Sequence, residues 1–293
     1  MAHSPVTTYN PLSALPDGYV TVCFSNFKRL ASAVEEVYNN LEANHGNGNQ
    51  YLVLPSLSNY ALNKLKQERR LGVACRLEFD KDMAIIKVLF DASHHIPLNK
   101  LFTIMVRKLI MMDISIFDHQ FLGATLYEGE SKGKEGDQTF HPPSRLHTST
   151  SKPWPTLVIE IGNSESMPRL RQDALWWFAN SEGDVRIFVI MEVKRESRTI
   201  NIEKWQLAPP NTPAPLTQAI IDGFCQADPP NMPPLVRQPA ASQQAYSTQE
   251  ITVTPTAATD QLVLPFQALY DRPPVLPESD LVITQQQLIR VPL

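Results

Sequence analysis

The sequence predicts an α/β fold in which a central mixed β-sheet is flanked by helices, and three observations predict it. Apolar side chains recur near the i, i+3, i+4, i+7 spacing of amphipathic helices at residues 26–41, 57–71 and 98–112. Short apolar runs at 156–161 and 185–193 have the length and β-branched content of buried strands. The second run is followed, after a turn at Arg195-Glu-Ser197, by a partner strand at Thr199–Trp205.

The elements follow in order. Residues 1–18 are a polar, proline-containing lead-in. Phe27, Leu30, Val34, Val37, Tyr38 and Leu41 line the first helix, which Asn44-His-Gly-Asn-Gly-Asn49 ends, because Gly and Asn tolerate the backbone of a helix stop. A second helix covers Leu57–Leu71 and carries Lys64, Lys66, Arg69 and Arg70. A hairpin pairs Ala74–Phe79 with Met83–Phe90 about a turn at Asp80-Lys81-Asp82. Leu98, Leu101, Phe102, Met105, Leu109 and Met112 form one face of a helix that packs across a sheet. Phe121–Glu128 is a strand, and Gly129–Gly136 is a flexible, charged connection. The segment Asp137–Phe140 is stopped by His141-Pro-Pro, since proline donates nothing to a ladder. A loop at 142–155 leads to the strand at 156–161, closed by Gly162, and to a helix at 168–179 with Pro168 in its first turn.

Beyond residue 208 the composition changes. Residues 209–239 hold nine prolines in 31 positions, and a Gln/Ser/Thr/Ala-rich stretch runs on to Thr259. This is linker composition. The apolar residues that return from Leu262 onward predict a segment that docks back rather than folds alone. The expected division is therefore 1–50 lead-in and helix, 51–207 core, 208–260 linker and 261–293 docking segment.

Composition narrows the function. The 293 residues are 43% hydrophobic and 19% charged with a net charge of −4, enough to bury a core and too balanced for a nucleic-acid footprint by charge alone. Three basic and seven acidic residues lie beyond Ala208, which leaves 23 of each before it. Cys23, Cys75 and Cys225 form no Cys-x-x-Cys pair, so neither a disulfide scaffold nor a cysteine zinc site is expected. With no signal-peptide pattern and no apolar run long enough for a membrane span, the expectation is an intracellular protein, cytoplasmic or nuclear, with no membrane partner.

Glu160 is the informative oddity. Strand alternation sets Leu157, Ile159 and Ile161 on one face and Val158 and Glu160 on the other. A carboxylate inside an apolar strand needs a cation, a hydrogen-bond donor or a metal. Asp137 supplies a second carboxylate one strand upstream, and such a pair makes a hard-oxygen site suited to Mg²⁺ or Mn²⁺, which could activate water and stabilise a phosphate. The structural alternative pairs Glu160 with Arg169 or Arg171 of the following helix.

The order of helix, antiparallel strands, Asp137, Pro155-Thr-Leu-Val-Ile-Glu160-Ile-Gly-Asn-Ser-Glu-Ser166, helix and strand resembles the PD-(D/E)XK nuclease superfamily. In it the chain is most similar to the Uma-type endonuclease family, as a fungal branch, over about residues 70–205. The resemblance implies a restriction-endonuclease-like fold and a magnesium-dependent hydrolase of nucleic acid. Asp137 and Glu160 fall on its metal-ligand positions, with the Ile161 carbonyl facing the ion. The superfamily's lysine position holds Gly162, and the Uma-type helix lysine falls on or near Leu175; no lysine lies between Lys152 and Lys194. Arg169 or Arg171 could stand in electrostatically, but a guanidinium stays protonated and is a poor base.

Other motifs are weaker. Glu192-Val-Lys194 is a literal Glu-x-Lys, but Asp184 starts the same strand roughly 26 Å away at strand rise. Lys194 and Arg195 read as a solvated turn. The seven histidines include His94-His95, His119, His141 and His147, with no helical zinc spacing. His141 could line the Asp137 cleft or be a plain loop residue. Ser164 and Ser166 read as capping residues. Trp176, Trp177 and Phe178 could stack on bases, with two of the three expected in the core. The basic face at 64–70 is solvated or touches a phosphate backbone. Three functions follow: a metal-dependent nuclease, a nuclease fold without catalysis that binds or scaffolds, and an interaction protein whose Pro-rich tail recruits protein partners. A homo-oligomer fits any of them.

Overall fold

Local sequence chemistry sets the ends of the first elements. The Asn26 side chain accepts the Arg29 N–H at 2.9 Å and so caps a helix that starts at Phe27. Lys81, at φ 55°, makes the left-handed turn of the expected hairpin. A computed structural model describes residues 11–12, 14–67, 71–90, 95–163, 167–227 and 232–291. Residues 1–10 of the lead-in, and Arg69, Arg70, His94, Ser164 and Ser166, lie outside the described residues.

In chain order, β1 (Val20–Thr21) precedes α1 (Phe27–Ala43), β2 (Tyr51–Leu54), α2 (Asn59–Gln67) and the hairpin of β3 (Cys75–Asp80) and β4 (Met83–Val88). Next come α3 (His95–Met111), β5 (Gln120–Leu122), β6 (Leu126–Glu128), β7 (Lys132–Glu135) and β8 (Gln138–His141). They are followed by β9 (Leu157–Asn163), α4 (Met167–Asn180), β10 (Ile187–Lys194) and β11 (Thr199–Leu207). The last elements are α5 (Gln218–Gln226), β12 (Ala245–Val253), β13 (Leu262–Leu264), α6 (Phe266–Tyr270), β14 (Leu281–Ile283) and α7 (Gln285–Leu288). No helix among the described residues is long and apolar enough to cross a membrane.

The chain forms two compact units. One comprises Pro11–His94 and Gly123–Gly136; the other contains His95–Leu122 and Asp137–Leu293. Residues 51–94, expected with the core, thus group with the first helix. The sheet of this first unit runs β1-β2-β4-β3-β7-β6. Leu52, Leu54, Leu77, Phe79, Ile86 and Val88 share one core with Leu30, Val34, Val37 and Leu41 of α1 and Leu62 and Leu65 of α2.

Two expectations change here. Phe121–Glu128 is not one strand: Ala124 at φ 53° breaks it, and β5 pairs with β8 while β6 pairs with β7. The charged run at 129–136 is not flexible either, because β7 sits between β3 and β6. Lys134 bonds Glu78 at 2.8 Å in a buried ion pair, and the Leu77 N–H donates to the Glu135 carboxylate at 3.0 Å. Gly133 pairs with Phe79, where a Cβ would lie 2.2 Å from the ring, so only glycine lets the strands approach. The basic face of α2 is partly engaged within this unit. Lys66 bonds Glu128 and stands 4.1 Å above the Phe79 ring, and Lys64 stands 5.4 Å above Phe27.

The second unit holds the sheet β12-β11-β10-β9-β8-β5, antiparallel except where β9 and β10 run parallel across α4. A helix, three antiparallel strands, a helix and a parallel strand (α3, β5, β8, β9, α4, β10) thus follow one another, and the α/β class with a mixed sheet flanked by helices is what the chain forms. Leu157, Ile159 and Ile161 share a core with Leu98, Leu101, Met105 and Leu109 of α3. Val158 and Glu160 therefore face the other side, as alternation requires.

Residues 208–260 are more than a linker, for β12 pairs with β11 along its length. Its buried residues Tyr246, Ile251 and Val253 suffice to seat a strand that is otherwise Ala, Ser, Thr, Gln and Glu. Leu262, Leu264, Phe266, Leu269, Leu281, Ile283, Leu288 and Val291 belong to the α3-side core. One side chain gathers the carbonyls at 234–236, near the end of the proline-rich stretch. Arg186, 5% exposed, donates to the carbonyls of Gly183, Pro234, Leu235 and Val236 and reaches Asp271 at 3.4 Å. Asp271 also pairs with Arg145 at 2.6 Å, and Arg237 with Asp184 at 2.6 Å. Arg186→Ala removes the donors from a buried network and leaves its acceptors unmet. It should cost about 3–5 kcal/mol in denaturant unfolding and make the chain near residues 234–236 the first site of limited proteolysis.

Candidate metal centre

Antiparallel pairing of β8 with β9 sets Gln138 against Ile159, Thr139 against Val158 and Phe140 against Leu157. One more step of this register places Asp137 opposite Glu160, on the same face of the sheet. Both are buried, each 3% exposed. The ladder ends there, and the Asp137 carboxylate takes over from the backbone: its Oδ2 accepts the Ile161 N–H at 3.0 Å. In extended chain the N–H and C=O of one residue point to the same edge, so the Ile161 carbonyl also faces the Asp137 side. The structure brings Asp137, Glu160 and Ile161 together.

The arginines lie on α4, which packs against β9 and β10. Arg169 is buried and forms an ion pair with Asp173 one turn on at 3.1 Å. Arg171 grips Glu203 of β11 with two guanidinium nitrogens, Nε at 3.0 Å. That hydrogen bond, more than the charges of Glu203, Glu250 and Glu192, pushes its pKa up. Both arginines therefore carry carboxylate partners on other residues than Asp137.

Gly162 pairs with Glu192 of β10. Asn201 donates to Glu192 at 2.7 Å, and Thr252 donates to Asn201 at 3.1 Å, a chain across three strands that no sequence spacing announces. Lys194 closes β10, its Nζ 3.7 Å from Glu192. Asp184 is engaged with Arg237 and so takes no part near Glu192.

His141 is not a loop residue. It ends β8, four residues beyond Asp137, and is 0% exposed. Trp176, Trp177 and Phe178 are all buried, so none of the three offers a face to a base. Among the described residues no three His, Cys, Asp or Glu side chains gather as a metal cluster. The fit to a cation rests on two carboxylates and one carbonyl. All three are hard oxygen donors on one edge, which suits Mg²⁺ or Mn²⁺.

No protein-family model and no curated protein matches the chain. Among solved structures it is similar to a crystal structure described as "a putative nuclease belonging to DUF820" from Anabaena variabilis ATCC 29413. The identity is 9% and the TM-score 0.41, over 73% of this chain and 90% of that one. A likeness this distant assigns no family.

Burial drives the His141 pKa down to about 4, the Pro153 hydrogen bond opposing and His147 and Arg145 assisting. His119 and His147 are lowered too, each mainly by burial. A histidine kept neutral in the fold but free to protonate when unfolded means that the unfolded chain binds more protons between pH 4 and 6.5. Stability should therefore fall as pH drops through that window, by about 3 kcal/mol from His141. Chemical denaturation of wild type and His141→Gln from pH 7 to 4 should show a shallower pH dependence in the variant.

Proposed function

We propose that this chain is a metal-dependent nuclease-fold protein that hydrolyses nucleic-acid phosphodiesters. What carries the reading is the register that sets Asp137 opposite Glu160, with the Asp137 carboxylate tied to the Ile161 N–H. The likeness of residues 155–166 to the Uma-type motif supports it. Asp137, Glu160 and the Ile161 carbonyl would hold Mg²⁺ or Mn²⁺. When bound, such an ion supplies Lewis-acid charge that activates water and offsets the phosphate. The protein's own part is to fix the donors: the strand pairing holds the two carboxylates side by side, and the Ile161 N–H orients Asp137. Arg169 and Arg171 stand near the start of α4, already paired with Asp173 and Glu203, so any part they take in offsetting phosphate charge is a residual one. As guanidinium groups they do not accept the proton of water.

The second reading is a nuclease fold without catalysis that binds or scaffolds, and one observation favours it. Gly162 stands where the superfamily has its lysine, and the Uma-type helix lysine falls on or near Leu175, with no lysine between Lys152 and Lys194. Cleavage assays on DNA and RNA with Mg²⁺ and Mn²⁺ separate the two, with metal binding followed by calorimetry. Asp137→Asn and Glu160→Gln should each abolish cleavage and weaken Mn²⁺ binding by at least roughly 10- to 100-fold. Wild-type protein that binds no metal and cuts neither polymer would leave the second reading.

A further inference from the structure

The parallel strands β9 and β10 end on the same side of the sheet, and α4 begins there directly after β9. Open α/β sheets take ligands beyond the carboxyl ends of their strands, and a helix N-terminus favours an anion. The first turn of α4 holds no acidic residue, and its Arg169 is buried and paired with Asp173. A second, independent feature stands at the same end. Ile190 pairs with Glu160 and Glu192 with Gly162, so Lys194, two residues further, lies on the face that carries Glu160. Its side chain is 44% exposed and leans on Glu192, which Asn201 and Thr252 hold in place. The turn that follows adds Arg195, half-buried, and Arg198, exposed and in the left-handed region at φ 51°. Three cations in five residues, with Glu196 the only anion among them, form a basic tip on a stretch, residues 1–207, that is charge-neutral as a whole.

We propose that the β10–β11 hairpin is the surface by which this chain grips a nucleic-acid backbone, with Lys194 on the phosphate nearest the Asp137–Glu160 pair and Arg195 and Arg198 on its neighbours. Glu192, fixed by Asn201, sets the lysine's direction from 3.7 Å, and the Lys194 ammonium, 44% exposed, keeps solvent-facing donors for a phosphate. The hairpin takes the role that a lysine at position 162 would have had in countering phosphate charge, from the adjacent strand. This inference rests on the nuclease reading for its choice of ligand, but its test is binding rather than turnover.

The test is fluorescence anisotropy of the full chain with a labelled duplex DNA and an RNA of the same sequence, in Ca²⁺, across a series of salt concentrations. For each B-DNA phosphate that a variant fails to neutralise, the slope of log K against log salt should become shallower by about 0.9. Lys194→Met should show that change and Lys194→Arg should not. Adding Arg195→Gln and Arg198→Gln should make the slope shallower still. Lys108→Met, on α3 across the other face of the sheet, removes the same charge and should leave the slope unchanged. Wild-type protein that binds neither polymer, or a triple variant that binds as wild type does, would overturn the proposal. Cleavage measured in parallel keeps the two readings apart. Hairpin-dependent binding without cleavage supports the surface and sinks the nuclease; cleavage with hairpin-independent binding does the reverse.

Discussion

A proline-rich stretch carries carbonyl acceptors and few N–H donors, and at its far end this chain supplies donors to three successive carbonyls from a single side chain. Arg186 meets four backbone carbonyls, three of them in Pro234-Leu-Val236, and reaches Asp271 as well. A guanidinium has five N–H groups and no acceptor, the complement of a proline-rich backbone. The side chain stands at the mouth of β10, whose own entry is fixed by Arg186 and Ile187 N–H groups on the Thr156 carbonyl. Sheet, proline-rich stretch and docking segment thus meet at one residue. The C-terminal elements that complete the α3-side core depend on that meeting, since α6 ends at Tyr270, next to Asp271.

The carboxylate pair is organised differently. Asp137 stands one residue outside β8, where the ladder has stopped but the register still holds. Its side chain takes the place of a backbone acceptor, which fixes the carboxylate while leaving its second oxygen directed by the surroundings. That is why a residue at the boundary of a strand, rather than inside one, can stand beside Glu160 in a buried setting.

Much of this was legible in the sequence. The helices at 27–43 and 95–111, the hairpin at 75–88 and the strands on either side of α4 follow from apolar period alone. Glu160 was visible as a carboxylate in an apolar run, and the face it occupies followed from alternation. What could not be read depended on register between distant segments. The chain Glu192–Asn201–Thr252 exists only once three strands are aligned. The strand β7 looks like a solvated charge run until Lys134 is seen against Glu78. The strand β12 hides its three inward apolar residues among Gln, Ser and Thr. Arg186 left a faint signal, a lone cation at the head of the most apolar strand, with nothing to say that its partners lay some fifty residues on.

The path of the chain has a genetic consequence. The segment Gly123–Gly136 belongs to one unit but is encoded between two parts of the other. A fragment that began at His95 would carry β6 and β7 without β3, stranding Lys134 and Glu135 from Glu78 and Leu77. A fragment that stopped before it would leave β3 as a bare sheet edge, open to pairing with other chains. Neither unit corresponds to one uninterrupted stretch of coding sequence, so neither can be moved or fused elsewhere by copying a single segment.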